Sequence, residues 1–87
     1  MTVCTGNICR SPAAAVLLRD RLDGIADVTS SGVRAVVTAG IPAQMLVHLD
    51  TAGLDGRGHQ AQQATEALLQ ESDLVVAMDD EHRRRIV

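Results

Sequence analysis

The chain has 87 residues, which limits it to one domain, and its 46% hydrophobic and 22% charged residues give a globular rather than a disordered composition. A net charge of −3 excludes general nucleic-acid binding, which needs a basic surface. Two cysteines are too few for a secreted disulfide framework.

Two strands separated by a helix are predicted in the first third of the chain. Ser11 is a good N-cap and Pro12 suits the first helical position, so a helix is expected from Pro12 to the stop at Gly24. The apolar face predicted for this helix consists of Ala14, Leu17, Leu18 and Leu22. The predicted elements are a strand at 1–4, the helix at 12–23 and a strand at 25–30.

The remaining elements alternate in the same way. The apolar run at 74–78 is typical of a strand buried on both faces. Asp79 should cap a last helix, with Asp80 and Glu81 in its positive first turn. The other predicted elements are a loop at 31–42, a helix at 43–52, a polar turn region at 54–63 and a helix at 65–71.

This alternation predicts an α/β fold with a short parallel sheet flanked by helices in three layers. Ligands of such sheets bind beyond the carboxyl ends of the strands. Residues 4–10 lie at such an end and lead directly into a helix N-terminus. The sequence therefore predicts a binding site in this segment.

The residues of this segment suit an anion. Gly6 and Asn7 tolerate the left-handed backbone that lets successive N–H groups curl inward, and the helix dipole reinforces the resulting nest. Arg10 adds a planar fork that matches two oxygens of a tetrahedral oxyanion. The same positive environment favours a thiolate at Cys4. We therefore expect one cradle that holds a phosphate and presents a nucleophilic sulfur to its phosphorus.

The stretch "VCTGNICRSP" closely resembles the C-x5-R-S loop of the low-molecular-weight protein-tyrosine phosphatases. Weaker similarity continues in that family's order through "TSSG" at 29–32, "GHQAQQ" at 58–63 and "SDLVVAMDDEH" at 72–82. The resemblance implies a phosphatase I-like, Rossmann-like fold, with no metal or other cofactor. A zinc site is also disfavoured by the spacing of the cysteines and histidines, and a nucleotide P-loop by the missing GK[ST] ending.

The resemblance also implies a role for each residue of the loop. Cys4 would be the nucleophile that forms a phosphocysteine, Arg10 would bind phosphate and stabilise the transition state, and Ser11 would assist the sulfur as it leaves. Cys9 would form a reversible disulfide with Cys4 under oxidants. The implied phosphate-binding amides are those of Thr5, Gly6, Asn7, Ile8, Cys9 and Arg10. The implied supports of the loop are Asn7, Ser30 and His59.

The family's general acid is an aspartate in a late Asp-Pro loop after a fourth strand, and these 87 residues contain no such dipeptide. We therefore expect residues 1–87 to be a single, partial domain, incomplete at the C-terminus. Asp79 is a weak candidate for a substitute acid, since helix capping explains it without chemistry. His48 and His82 are expected on the surface.

Three functions remain open at this point. The first is a phosphomonoesterase acting on phosphotyrosine proteins or small phosphomonoesters. The second is an arsenate-reductase-like oxidoreductase on the same scaffold, which would need a relay cysteine after Cys9, and none follows. The third is a non-catalytic phosphate or phosphoprotein binder. No secretory signal or membrane-length apolar run is present, so a cytoplasmic location without a membrane partner is expected; the oligomeric state stays open.

Overall fold

The computed structural model describes residues 1–86 and contains a parallel three-stranded sheet with helices packed on it. The predicted α/β class is therefore confirmed. The elements in chain order are β1 (Thr2–Cys4), α1 (Arg10–Arg21), β2 (Ser30–Gly32), α2 (Ala43–Thr51), α3 (Glu66–Glu71), β3 (Val76–Ala77) and α4 (Asp80–Ile86).

β1 is the central strand of the sheet, which has the order β2-β1-β3. Cys4 pairs with Gly32 of β2, so the carboxyl ends of β1 and β2 lie side by side. All three residues of β1 are buried. The nucleophile candidate therefore sits at the end of the most enclosed strand of the sheet.

Helix α1 begins two residues earlier than predicted, at Arg10. The Ser11 hydroxyl does not cap the helix because it contacts the Cys4 sulfur instead. Pro12 is the third helical residue, and there its missing N–H costs nothing because the first-turn N–H groups have no intrahelical acceptor. The predicted apolar face is also wrong: Leu17 is 43% exposed. The face that α1 buries is made of small residues, namely Ser11, Pro12, Ala13, Ala15 and Val16.

The hydrophobic core lies between α1 and α2. Ala13 and Val16 of α1 pack with Ile41 and Leu49, and Met45, Leu46 and Leu54 pack against this cluster. Gly56 lies against this cluster: a Cβ at that position would lie 2.7 Å from Leu49 Cδ1 and 2.8 Å from Ile41 Cδ1, so these side chains would have to shift. This cluster holds the segment after α2 close to α1.

Two strand predictions are corrected by the structure. The second strand is Ser30–Gly32 rather than 25–30, and Ile25 is 79% exposed. The run at 74–78 provides only two strand residues, and Leu74 is 70% exposed. This run is an edge strand and not a strand buried on both faces, because β3 pairs only with β1 among the described residues.

The helices of the second half agree with the sequence predictions. α2 ends as expected before Gly53, which adopts a left-handed φ of 78°. The Thr65 hydroxyl caps α3 by accepting the Leu68 N–H at 3.2 Å. The Asp79 carboxylate caps α4 by accepting the His82 N–H at 3.0 Å. Among residues 1–86, no helix combines the length and the apolar character that crossing a bilayer requires.

Candidate active site

The loop between β1 and α1 forms a closed cradle because its carbonyl groups are bound from the outside. Carbonyls of four consecutive residues accept hydrogen bonds from segments far along the chain. The pairs are Cys4 with the Val33 N–H (2.9 Å), Thr5 with the Arg34 N–H (2.9 Å), Gly6 with the Val36 N–H (3.0 Å) and Asn7 with His59 Nε2–H (2.6 Å). Carbonyls that are held outward leave the amide groups of the same loop to face inward.

The backbone N–H groups of the loop are the donors of this cradle. Within residues 1–86, the N–H groups from Thr5 to Arg10 donate no hydrogen bond to another protein atom. They stand at the N-terminus of α1, where the helix dipole adds a partial positive charge. Such an array is suited to a tetrahedral oxyanion.

Asn7 holds the shape of the loop from inside. It is fully buried and adopts a left-handed φ of 57°, which asparagine tolerates better than other non-glycine residues. Its Nδ2 donates to Ser11 Oγ at 2.9 Å, and its Oδ1 accepts the Gln62 N–H at 2.9 Å. With His59 on its carbonyl and Gln62 on its Oδ1, Asn7 joins the loop to the 59–62 segment at two atoms.

The Cys4 sulfur lies against Ser11. Sγ and Ser11 Oγ are 2.9 Å apart, and Cys4 is only 4% exposed. The Ser11 oxygen already accepts from Asn7, and its single proton has two acceptors within reach: the Cys4 sulfur and the Ser31 carbonyl at 3.3 Å. With a thiol, Cys4 can donate to Ser11; with a thiolate, the Ser11 proton turns to the sulfur. Ser11 therefore accommodates both protonation states of Cys4.

Strand β2 forms the wall behind the loop. A Cβ on Gly32 would lie 2.5 Å from the Thr5 carbonyl oxygen and 2.9 Å from the Asn7 nitrogen. Only glycine fits at this approach, since real Cβ atoms do not come so close to backbone. The end of β2 thus fixes how near the loop lies to the sheet.

Arg10 projects from the first turn of α1 and lies beside Asp79. Its guanidinium is 3.7 Å from the Asp79 carboxylate, and the two side chains are 56% and 46% exposed. The pKa of Asp79 is held below its usual value, mainly by the hydrogen bond from the His82 N–H, with smaller contributions from the His82 and Arg10 charges. A half-exposed pair at this distance is weak, so Arg10 remains available to an anion.

The expectation that His82 lies on the surface is wrong. His82 is 2% exposed, and its Nε2 lies 2.8 Å from the Thr5 hydroxyl. Its position in the first turn of α4 directs it back over the helix N-terminus toward the loop. His48 does lie on the surface, on α2.

The structure gathers most of the predicted supports of the loop but distributes their contacts differently. Asn7 and His59 contact the loop directly. Ser30 pairs with Thr2 in the sheet, and its carbonyl accepts from the Gln62 side chain at 2.8 Å. The carbonyl near the catalytic serine candidate belongs to Ser31 instead. The sequence patterns indicate no role for Ser31, and none for Gln62 although it lies in a matching motif.

The two thiols of the loop are both free. Cys4 is buried, whereas Cys9 is partly exposed and occupies the N-cap position of α1. Its carbonyl accepts the Ala13 N–H at 3.0 Å, which begins the helix.

Known proteins are similar to this chain in both sequence and fold. A family model described as low molecular weight phosphotyrosine protein phosphatase matches residues 1–87. EpsP of Ralstonia nicotianae, named a probable low molecular weight protein-tyrosine-phosphatase, is 40% identical over 99% of this chain and 59% of its own length. Etp of Escherichia coli, named a low molecular weight protein-tyrosine-phosphatase, is 39% identical over 94% of this chain and 55% of its own length.

Solved structures agree with these matches. The tyrosine phosphatase AmsI of Erwinia amylovora superposes with a TM-score of 0.92 and 32% identity, over 98% of this chain and 56% of its own. The tyrosine phosphatase Wzb of Escherichia coli, in complex with sulphate, gives a TM-score of 0.90 and 36% identity, over 98% of this chain and 59% of its own. The chain thus spans somewhat more than half the length of the relatives it matches. With its loop, its parallel sheet and these similarities together, the chain belongs to the low molecular weight phosphotyrosine protein phosphatase family.

Proposed function

We propose that this chain carries the phosphate-transfer site of a phosphatase that hydrolyses phosphotyrosine in proteins through a phosphocysteine on Cys4. The observation that carries the proposal is the setting of Cys4: its sulfur lies 2.9 Å from the Ser11 hydroxyl, and it is followed by N–H groups from Thr5 to Arg10 that donate to no other protein atom within residues 1–86. This arrangement can bind three phosphoryl oxygens and direct a thiolate at phosphorus.

In the proposed first step, the Cys4 thiolate attacks phosphorus while the bond to the leaving oxygen breaks. The amides and Arg10 stabilise the charge on the three equatorial oxygens. A poor leaving group requires a proton from a general acid, whereas an activated aryl phosphate departs without one.

In the proposed second step, water attacks the phosphorus of phosphocysteine and the Cys4 thiolate leaves. Ser11 can donate a hydrogen bond to the departing thiolate and keep its proton, because Asn7 already occupies one of its lone pairs and orients the hydroxyl. A mutant of the arginine phosphatase YwlE with a phosphorylated active-site serine superposes on this chain with a TM-score of 0.92 and 31% identity. That neighbour supports phosphoryl transfer to the position of the nucleophile.

Hydrolysis of p-nitrophenyl phosphate tests the proposal directly. We expect turnover in the wild type and none in Cys4→Ser. Arg10→Lys keeps the charge but loses the planar fork, and it should lose about 10²–10³-fold in kcat/KM. His48→Gln, on the exposed face of α2, is the matched control and should behave as the wild type. If the wild type and all variants bind phosphate but none hydrolyses the substrate, the protein is a non-catalytic phosphate binder and not an enzyme.

The substrate class needs its own comparison, because the relatives named above differ. EpsP, Etp, AmsI and Wzb carry tyrosine-phosphatase names, whereas YwlE is named an arginine phosphatase. We propose phosphotyrosine, which the majority of these relatives favours. Matched peptides carrying phosphotyrosine or phosphoarginine should show release of phosphate mainly from the first; the opposite preference would reassign the substrate.

We further propose that Cys9 protects Cys4 in a reducing cytoplasm. Hydrogen peroxide would oxidise the Cys4 thiolate to a sulfenic acid, and the Cys9 thiol would then displace water to form a disulfide. Both thiols are free at adjacent parts of the same loop. Without Cys9, a second peroxide would oxidise the sulfenic acid to a sulfinic acid, which dithiothreitol does not reduce. After excess peroxide and then dithiothreitol, the wild type should recover phosphate binding and Cys9→Ser should not; equal recovery would remove Cys9 from this role.

A further inference from the structure

His82 is a buried titratable side chain that the proposed phosphoryl transfer does not use. It belongs to α4, 77 residues after Thr5, yet its Nε2 lies 2.8 Å from the Thr5 hydroxyl. Thr5 follows the nucleophile directly and supplies the first amide of the cradle. A buried imidazole therefore contacts the loop at its first residue.

The other ring nitrogen of His82 faces Asp79. Nδ1 lies 3.3 Å from Asp79 Oδ1 but outside hydrogen-bond geometry, and within residues 1–86 it has no hydrogen-bond partner. In the neutral imidazole, a bare lone pair on Nδ1 beside a carboxylate is unfavourable, so the proton of this form belongs on Nδ1. Nε2 then accepts the proton of the Thr5 hydroxyl. The orientation of Thr5 thus depends on the carboxylate that selects the tautomer.

Asp79 also reaches the opposite end of the loop. Its Oδ2 lies 3.7 Å from the Arg10 guanidinium, while its Oδ1 accepts the His82 N–H at 3.0 Å. The N-terminus of α4 therefore contacts both the first and the last residue of the cradle.

We propose that Asp79 and His82 form a clamp across the two ends of the loop between β1 and α1, residues 4–10, which we call the phosphate loop. In this clamp His82 is a positioning residue that holds Thr5 so that its amide faces the bound anion. This inference rests on the proposed function of the loop. Thr5 is exposed even with this contact, so without His82 its side chain is free to rotate, and part of the binding free energy is lost in ordering it when the anion binds.

Binding of inorganic phosphate, measured by titration calorimetry, tests the clamp. Thr5→Val keeps the shape of the side chain and removes the hydroxyl; His82→Leu removes the imidazole. Each should weaken phosphate binding about 5- to 30-fold, the range expected for one lost side-chain hydrogen bond. The double variant should be no weaker than either single variant, because both remove the same contact.

Two conservative variants separate positioning from general damage. Thr5→Ser restores a hydroxyl and should recover most of the affinity, and His82→Gln offers another acceptor for it. His48→Gln is the control for loss of an imidazole elsewhere. In ¹⁵N spectra of the imidazoles, Nε2 of His82 should appear as an acceptor and should shift in Thr5→Val but not in His48→Gln.

The outcomes distinguish this inference from the proposed function. If the wild type binds phosphate and both Thr5→Val and His82→Leu bind it equally well, the clamp is wrong while the proposed function of the loop still stands. Additive losses in the double variant also overturn it, because the two residues would then act independently. A wild type that binds no phosphate overturns the proposed function and the clamp with it.

Discussion

The Asn7 side chain accepts the backbone N–H of Gln62 at 2.9 Å, across 55 residues of sequence. The same amide donates to the serine beside the nucleophile, so one buried side chain connects the site to the segment that supports it. The phosphate loop therefore takes its shape from residues outside the C-x5-R motif.

Replacement of Asn7 should lower the stability of the loop and of the protein as a whole. Asn7→Ala leaves the Gln62 N–H without its acceptor and keeps a left-handed φ that alanine resists, so we expect a loss of about 2–5 kcal/mol in unfolding free energy. Asn7→Gly removes the same side chain but relieves the backbone, and it should be about 1 kcal/mol more stable than Asn7→Ala. Urea denaturation followed by far-ultraviolet circular dichroism measures both. Equal stability of the two variants would show that the left-handed backbone costs little here.

Removal of the Ser11 hydroxyl should make the thiolate form of Cys4 less stable. Ser11→Ala deletes the donor 2.9 Å from the Cys4 sulfur and leaves Asn7 Nδ2 without an acceptor, at a cost of about 1–3 kcal/mol in stability. Alkylation of Cys4 by iodoacetamide at neutral pH should become slower, because the thiolate is the reacting form. Ser72→Ala, whose hydroxyl donates to the Leu68 carbonyl of α3 at 2.8 Å, is the matched control. An unchanged alkylation rate in Ser11→Ala would contradict the assignment.

A methyl group on Gly32 should damage the site more than the fold. Gly32→Ala places a Cβ 2.5 Å from the Thr5 carbonyl, so the loop must shift and phosphate binding should fall at least about 10-fold. Gly58→Ala is the control, because a Cβ at that position would meet no atom within 4 Å and binding should stay unchanged. Gly56→Ala, which meets Leu49 and Ile41, should instead lower stability. Normal phosphate affinity in Gly32→Ala would mean that the loop is not held against β2.

The lowered pKa of Asp79 should be visible in acid. Because the folded-state pKa lies below the unfolded value of 3.8, the carboxylate stabilises the fold fully above about pH 4, and this stabilisation is lost as pH falls through the folded pKa. Asp79→Asn lacks this contribution, so its stability should fall less steeply than that of the wild type below about pH 4. Urea midpoints measured from about pH 2 to about pH 6 provide the test, and parallel curves for the two proteins would contradict it.

Local signals in the sequence are sufficient for the helices in the second half of the fold. Thr65 and Asp79 are capping residues whose contacts are made within three residues, so α3 and α4 begin where the pattern predicts. Gly53 ends α2 for a similarly local reason, its left-handed backbone. Features that depend on neighbours only in sequence were therefore predictable.

The errors arise where distant segments decide the structure. The start of α1 differs from the prediction because Ser11 contacts Cys4 and Asn7 instead of capping the helix. The run at 74–78 reads as a buried strand, but its position at the edge of the sheet leaves Leu74 exposed. His82 was missed because its partner, Thr5, lies at the other end of the chain. In each case the deciding contact has no signature in the local pattern.

The outward carbonyls of the phosphate loop have a consequence for folding. The partners of the Asn7 carbonyl, the Asn7 side chain and the Thr5 hydroxyl come from 52, 55 and 77 residues away, so the cradle cannot exist in a chain that has formed only β1 and α1. Oxyanion affinity is thus a property of the completed fold, acquired late and lost at the first global opening. Orthophosphate will act as a native-state ligand that raises the melting temperature with its concentration.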